Sequence, residues 1–338
     1  MDIIGFLMDP GINAGIQNFS PSLTAIMTQG EFLDSMPWYF LLICLVTFWL
    51  HPRYGARLTT LFGLNAGLNE AVKLACHLPR PYWIADTVRG FSAHSSFGFP
   101  SGAAMTGAVI YGYIITIVRR WWVVLACVVL LLATSAVRLF SGIHFALDIV
   151  GGWAIGFLLL ALFLLVMPKA EEFAFRLSRP SRIILFLCIA AVPLLISIPA
   201  YLSLAGWQLP GTWAALALQQ TGSAISPVRL QFSYGASGII LGGLFGYEFL
   251  QARGGWSPPQ DLIQRAVVTA AGIISALIAN ACLPLVWKVS GLAAAVPPLA
   301  MFLSMMLVTF WIIACVPLLA GKLVLPTSAR SATARSGK

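Results

Sequence analysis

The sequence has few charged residues, and this scarcity limits the class of protein that it can encode. Only 9% of its 338 residues are charged and 59% are hydrophobic, compared with about 25% and roughly 45–50% in an average soluble domain. A soluble globular protein is therefore excluded. The apolar runs between residues 37 and 322 have room for around nine membrane-spanning helices of about 20 residues each, which predicts an all-α polytopic membrane protein.

Paired cysteines and long basic clusters are also missing. The six cysteines lie singly inside apolar runs, so we expect neither disulfides nor a zinc site, and no metal is expected as a partner. The net charge is +9, but no basic cluster exceeds the two residues Arg119 and Arg120. Nucleic acid is therefore not an expected partner, and the scattered basic residues are interpreted as topology signals.

Apolar runs and loop charges predict how the chain is organised. Alternate threading places 14 of the 20 Lys and Arg residues on one side. The positive-inside rule makes that side cytoplasmic, with the N-terminus outside and the C-terminus inside. The predicted spans lie at about 37–50, 57–76, 102–118, 121–139, 144–167, 183–204, 235–250, 264–287 and 296–321.

Polar segments between these spans predict the domain boundaries. Residues 1–36 form an amphipathic interfacial segment, and residues 169–182 form a cytoplasmic loop. The regions on either side of the loop are a core of five spans at 37–168 and a four-span extension at 183–322. A cytoplasmic tail is predicted at 323–338.

Three short polar segments lie at the ends of spans, at residues 73–81, 99–103 and 137–148, and the first and third of them carry charged residues. Charges inside or at the edge of a membrane are costly, so each of them needs a partner, a ligand or water. By the alternation of the spans, all three segments meet at the outer membrane face. The sequence therefore predicts one functional site there.

The composition of these segments favours phosphate as the ligand. Lys73, Arg80 and Arg138 cannot neutralise one another, and a tetrahedral phosphate with several acceptor oxygens suits three converging cations. Ser101 and Gly102 follow a proline at the start of a span, where backbone N–H groups and the helix dipole favour an anion. We expect these five residues to form a phosphate-binding pocket.

A nucleophile is predicted beside this pocket. His144 and Asp148 are four residues apart and share one helical face. The carboxylate can hold one ring nitrogen protonated and leave the other free to attack phosphorus. We therefore expect His144 and Asp148 to be the catalytic pair.

In this order, the motifs Lys-x6-Arg-Pro, Pro-Ser-Gly and Arg-x5-His-x3-Asp resemble those of the type 2 phosphatidic acid phosphatase family of membrane lipid phosphatases. The resemblance covers about residues 37–167. It implies a phosphohistidine intermediate at His144, oriented by Asp148, without a metal or other cofactor. It also implies a phosphate site and lipid substrates such as phosphatidic acid, phosphatidylglycerophosphate or polyprenyl diphosphates. The phosphate-binding residues that it implies are Lys73, Arg80, Ser101, Gly102 and Arg138.

Two positions depart from the family pattern. Val137 stands where a serine usually precedes the arginine, which removes one hydroxyl contact. Ala103 stands where the family's second motif has a histidine, and this histidine is the expected general acid for the leaving group. Loss of a general acid costs roughly 10²–10⁴-fold in rate.

The missing acid leaves three interpretations open. A lipid diphosphate expels a phosphate, which needs protonation far less than an alkoxide, so activity can persist on diphosphates. His94 or His77 can replace the acid from the outer loop. Otherwise the protein is a catalytically disabled phospholipid-binding or transport protein, through a natural or engineered Ala103.

These observations lead to one functional prediction. The chain is expected to be a lipid phosphatase that favours diphosphates, in the cytoplasmic membrane of a bacterium, with its site on the periplasmic face. Its expected partners are the lipid substrate and membrane lipids. A lipid phosphotransferase that uses the same intermediate remains an alternative.

Overall fold

The computed structural model describes residues 2–19 and 23–323, and over these residues its regular secondary structure is helical. Nine helical segments occupy the nine positions predicted for spans. The predicted tail at 323–338 lies outside the described residues, apart from the backbone of Leu323. The helices before residue 177 are α1 (Ile3–Leu7), α2 (Pro10–Phe19), α3 (Thr24–Gly30), a 3-10 turn (Glu31–Asp34), α4 (Met36–Leu45, continued by a π turn, Val46–Leu50), α5 (Pro52–Cys76), α6 (Pro81–Ile84), α7 (Gly102–Val118), α8 (Trp121–Phe140) and α9 (Ala146–Arg176).

The C-terminal half continues the helical architecture. It contains two helices that the apolar pattern did not predict: α11, which packs against α6, and the four-residue α14. The helices of this half are α10 (Arg179–Leu202), α11 (Gly211–Thr221), α12 (Gln231–Gln251), α13 (Leu262–Val289), α14 (Leu292–Ala295), α15 (Pro297–Phe310, continued by a π turn, Trp311–Cys315) and α16 (Val316–Leu323).

Five helical segments in the described chain are long and apolar enough to cross a membrane: α8, α9, α10, α13 and the continuous segment 297–322. A sixth is reached if the bent pair Thr24–Asp34 and Met36–Leu50, which turns by 57°, counts as one span. Helix α7 has only 17 residues, and α5 carries polar and charged side chains. The protein is a polytopic membrane protein whose most polar long helix, α5, lies between other helices.

The predicted loop at 169–182 is mostly helical, which corrects the sequence interpretation. Helix α9 continues to Arg176 and α10 begins at Arg179, so only Leu177 and Ser178 connect them. The polar turn is stabilised by a contact that the sequence pattern did not show. Glu171 forms ion pairs with Arg53 and Arg57 at the start of α5.

Helix α5 joins the two halves of the molecule. It packs against α7 on one side and against α10 and α12 on the other, and α12 in turn packs against α15. Glycines permit the closest approaches. A Cβ at Gly238 of α12 would overlap the backbone carbonyl oxygen of Phe302 in α15. The C-terminal helices therefore lie directly on the helix that carries the first predicted motif.

Candidate active site

Backbone hydrogen bonds bring the three predicted motifs together at one end of the bundle. The Ser101 N–H donates to the carbonyl of Asp148 (2.9 Å), which joins the second motif to the third. The Gly98 N–H donates to the carbonyl of Leu78 (2.9 Å), which joins the loop before the second motif to the first. These bonds position the ends of α5, α7, α8 and α9 around a common space.

That space is a cavity of about 250 Å³. Five of the predicted site residues line it: Lys73, Arg80, Gly102, Arg138 and His144. Ser101, Ala103 and Asp148 are buried in adjacent positions and are not among its lining residues. The other polar residues on its wall are Asp34, Tyr39, Asn69, Glu70, His94, Ser96, Thr106 and Arg229.

The contacts of the His144 ring indicate its tautomer. Its Nδ1 lies 3.1 Å from Asp148 Oδ2, and the same carboxylate oxygen accepts the backbone N–H of Phe145 at 2.9 Å. Its Nε2 lies 3.4 Å from Arg80 Nη1, which can only donate. We therefore assign the proton to Nδ1 and the lone pair to Nε2, which faces the cavity.

Arg80 organises the loop that precedes the second motif. Its Nε donates to the carbonyl of Ser96 (2.7 Å), and its Nη2 donates to Ser96 Oγ (3.0 Å) and the carbonyl of Phe97 (3.2 Å). Its Nη1 donates to the carbonyl of Ile143 (2.8 Å) and contacts His144. All five guanidinium N–H groups are thus engaged. The contact with His144 is the longest, so it is the one that an incoming anion can most easily replace.

Lys73 shares one acceptor with this network, the carbonyl of Phe97. Its Nζ donates to the carbonyls of Phe97 (2.7 Å) and Gly98 (3.0 Å). An ammonium has three donors, so one N–H is left for a ligand. Lys73 is buried, and no carboxylate lies within 4 Å of it among the described residues.

Arg138 has a carboxylate partner that the sequence did not reveal. Its Nη2 lies 3.4 Å from Asp34 Oδ2 and donates to the carbonyl of Glu31 at 3.3 Å. Its Nε is buried and has no hydrogen-bond partner in the described part of the chain. The three motifs do not predict this pairing, because Asp34 lies in a separate segment of the chain that folds onto the site.

The second motif begins helix α7. The Ser101 hydroxyl accepts the N–H of Ala104 at 3.4 Å and acts as the N-cap. The N–H groups of Gly102 and Ala103 are in the first turn, where a helix offers them no acceptor. Gly102 lies on the cavity wall and Ala103 is buried beside it, so the start of this helix presents backbone donors but no imidazole.

Of the two loop histidines, His94 lies on the cavity wall and His77 does not. The Tyr82 hydroxyl fixes the backbone of His94: it accepts the His94 N–H (3.1 Å) and donates to its carbonyl (3.0 Å). Burial, and then the positive charges of Arg80 and Arg138, lower the pKa of His94 well below its usual value. His94 is therefore neutral at pH 7 while the site is empty.

Comparison with known proteins agrees with this geometry. A model of the PAP2 superfamily matches residues 54–172, and a model described as the PAP2 superfamily phosphatase transmembrane extension matches residues 234–330. The chain belongs to the PAP2 superfamily. This is the family that the three motifs resemble, and the matches include every catalytic and phosphate-binding position predicted from the sequence.

A curated relative gives the same indication. The chain is 27% identical to lipid phosphate phosphatase delta of Arabidopsis thaliana over 157 residues. The match covers 41% of this chain and 37% of that protein. No solved structure matches.

The segment before the PAP2 match holds the third motif in place. The Asn13 side-chain amide donates to the carbonyls of Leu139 (2.8 Å) and His144 (3.0 Å), and the Gln17 amide donates to the carbonyl of Phe140 (2.7 Å). Sequence reasoning treated these residues as part of an amphipathic segment. Asn13 is completely buried, so this part of the segment packs against the PAP2 core.

The segment between the two PAP2 matches also reaches the site. Glu70 of α5 accepts hydrogen bonds from the N–H of Phe232 (3.2 Å) and from the N–H and hydroxyl of Ser233, in the first turn of α12. Arg229, just before this turn, lines the cavity and lies over the Phe232 ring at 5.1 Å. Sequence reasoning did not identify Arg229, because a single arginine in a connecting segment has no local signal.

Proposed function

We propose that this PAP2 protein is a lipid phosphatase that hydrolyses a lipid phosphate, and preferentially a lipid diphosphate, through a phosphohistidine at His144. One observation carries the proposal. The His144 ring is held by Asp148 through Nδ1 (3.1 Å), and its unprotonated Nε2 faces a cavity lined by Lys73, Arg80 and Arg138. If these residues formed only a structural ion network, the lone pair of His144 Nε2 would not need to face the cations.

The proposed reaction begins when the terminal phosphoryl group enters the cavity. It accepts hydrogen bonds from Lys73, Arg138 and the N–H groups at the start of α7, and it takes Arg80 Nη1 away from His144. His144 Nε2 then attacks phosphorus. The bond between phosphorus and the leaving oxygen breaks, and its electron pair stays on that oxygen. Water hydrolyses the phosphohistidine and restores the imidazole.

Ala103 favours a diphosphate as substrate. In a diphosphate the leaving group is a lipid monophosphate, whose oxygen is weakly basic and departs without a proton. A monoester expels an alkoxide, which needs a general acid worth roughly 10²–10⁴-fold in rate. His94 is the cavity residue that can serve this slower reaction, since a bound phosphate counteracts the positive charges that disfavour its protonation.

We further propose that the site faces the outer side of a bacterial cytoplasmic membrane. The opposite end of the bundle carries Arg53, Arg57 and Arg182, which form ion pairs with Glu171 or Glu248. The alternating topology places most of the other arginines and lysines on the same side as that end. The side of a membrane protein with more basic residues is cytoplasmic. The N-terminus is then outside.

A non-catalytic phospholipid-binding or transport protein is the rival, and Ala103 is the observation that favours it. To distinguish the phosphatase from the non-catalytic protein, the purified protein is incubated with a ³²P-labelled polyprenyl diphosphate or phosphatidic acid. The reaction is then quenched in alkali, which preserves phosphohistidine. We expect faster phosphate release from the diphosphate and a labelled protein. His144→Ala is expected to abolish both signals.

The control is His51→Asn, which replaces a histidine at the N-cap of α5, away from the cavity, with another good N-cap residue. It should leave both signals unchanged. If the parent protein is silent on both lipids and Ala103→His activates it, the chain is a disabled phosphatase. Transfer of the label to an alcohol acceptor in preference to water would instead identify a phosphotransferase.

A further inference from the structure

We propose that Arg229, supplied by the segment between the two PAP2 matches, binds the second phosphate of a lipid diphosphate, the one attached to the lipid. This inference rests on the proposed function, because it assigns the leaving-group side of the same cavity. It gives the C-terminal half of the chain a part in substrate selection.

The state of the Arg229 side chain is the first observation. Arg229 lines the cavity that contains His144, and its Nε is buried without a hydrogen-bond partner in the described part of the chain. No carboxylate lies within 4 Å of its guanidinium among the described residues. Burying an unsatisfied charged donor is costly, so a ligand that accepts from it would recover that cost.

The neighbouring charges point to an anion as that ligand. Glu70 is the carboxylate whose charge acts on Arg229, but its oxygens accept hydrogen bonds from the first turn of α12. Arg138 is paired with Asp34 at 3.4 Å. Among the described residues, Arg229 therefore has no ion pair. It is a fourth cation at the cavity, in addition to the three that the motifs provide for one phosphoryl group.

The helix start that follows Arg229 is anchored to the helix that carries the first motif. Ser233, four residues later, donates its N–H and hydroxyl to Glu70, which lies one helical turn before Lys73 on α5. Ser233 Oγ also lies 2.7 Å from Ser197 Oγ of α10. Glu70 is therefore a positioning residue, which holds the end of the extension, and with it Arg229, at the cavity.

A cation at this place compensates chemically for the alanine at position 103. When His144 Nε2 bonds to the terminal phosphorus, the bridging P–O bond breaks and the departing lipid monophosphate keeps the electron pair. Arg229 stabilises the charge that develops on that phosphate by hydrogen bonding rather than by giving up a proton. A monophosphate has no second phosphate to receive this contact.

The test compares one polyprenyl diphosphate with the monophosphate of the same chain length, using the full-length protein in detergent. Loss of a charge-assisted hydrogen bond predicts that Arg229→Gln lowers kcat/KM for the diphosphate by about 10- to 100-fold. The value for the monophosphate should change by less than about threefold. Arg229→Lys should retain part of the preference, and Arg253→Gln, at an exposed residue of the same extension, should retain all of it.

A binding measurement makes the test independent of turnover. The binding of methylenediphosphonate and of inorganic phosphate is measured by calorimetry for the parent protein and for Arg229→Gln. Arg229→Gln should weaken methylenediphosphonate by about 10-fold or more and leave phosphate unchanged. Equal losses for both ligands, or no loss for either, would overturn the role of Arg229. A parent protein that binds both ligands but forms no phosphohistidine would overturn the proposed function alone.

Discussion

The substitution Asp148→Asn tests how the carboxylate supports the proposed nucleophile. In the structure Asp148 Oδ2 accepts two N–H groups, from His144 Nδ1 (3.1 Å) and from the backbone of Phe145 (2.9 Å). An amide of nearly the same shape keeps the side-chain volume but removes the charge. It also lets the ring turn or adopt the other tautomer.

The magnitude follows from these two bonds. Hydrogen bonds to a charged group contribute about 1.5–3 kcal/mol each, compared with about 1 kcal/mol for neutral pairs. The ring of the phosphohistidine is cationic, so the carboxylate stabilises the transition state more than the resting site. Together these effects predict a loss of about 3–5 kcal/mol, or roughly 10²–10⁴-fold in kcat. The same change in a Ser-His-Asp triad costs about 10⁴-fold.

The assay measures kcat for phosphate release together with the Kd of inorganic phosphate. Because Asp148 adds negative charge beside the cavity, its neutralisation should leave the Kd unchanged or lower it. Asp261→Asn is the matched control, since Asp261 caps α13 by accepting the Gln264 N–H at 2.8 Å and asparagine caps equally well. An unchanged kcat for Asp148→Asn, or a Kd that rises in proportion to the fall in kcat, would refute the assigned role.

Two other predictions concern stability. Burial and the charge of Arg80 lower the pKa of His94 in the folded protein, so the unfolded chain binds more protons below pH 6.5. The parent should therefore lose up to about 1 kcal/mol of stability between pH 6.5 and 5.5 from this group. Thermal unfolding in detergent without phosphate should show a smaller pH dependence for His94→Gln, and identical slopes would show that His94 is not the source of this loss. Gly238→Ala should lower stability by about 1–3 kcal/mol, since its Cβ meets the Phe302 carbonyl. Gly211→Ala should not lower stability, because a Cβ at that position meets nothing within 4 Å. Equal unfolding midpoints for the two variants would show that α12 and α15 can separate at little cost.

The motif residues could be predicted because membranes make charges informative. Lys73, Arg80, Arg138, His144 and Asp148 stand out in an apolar sequence, and the alternation of the spans brings them to one end. The positions of the helices could also be predicted, because a long apolar run in a membrane must satisfy its backbone hydrogen bonds internally and so forms a helix.

The partners of these residues could not be predicted in the same way. Asp34, Asn13 and Arg229 lie in short polar segments, where charged and amide groups are ordinary and carry no periodic signal. Their positions at the site depend on long-range packing, such as the pairing of Asp34 with Arg138 across more than 100 residues of chain. The polar composition around Glu171 predicts a loop, whereas the structure shows a helix whose carboxylate pairs with two arginines far away in the sequence, on α5.

The hydrogen bonds of Glu70 have a consequence for how the molecule is made. This carboxylate is buried in α5, and the donors from Ser233 follow 163 residues later in the chain. At a synthesis rate of about 5–20 residues per second, roughly 8–30 s pass between the emergence of the acceptor and that of its donors. During that interval Glu70 lacks these donors, so this part of the cavity wall is completed only after Ser233 has been synthesised.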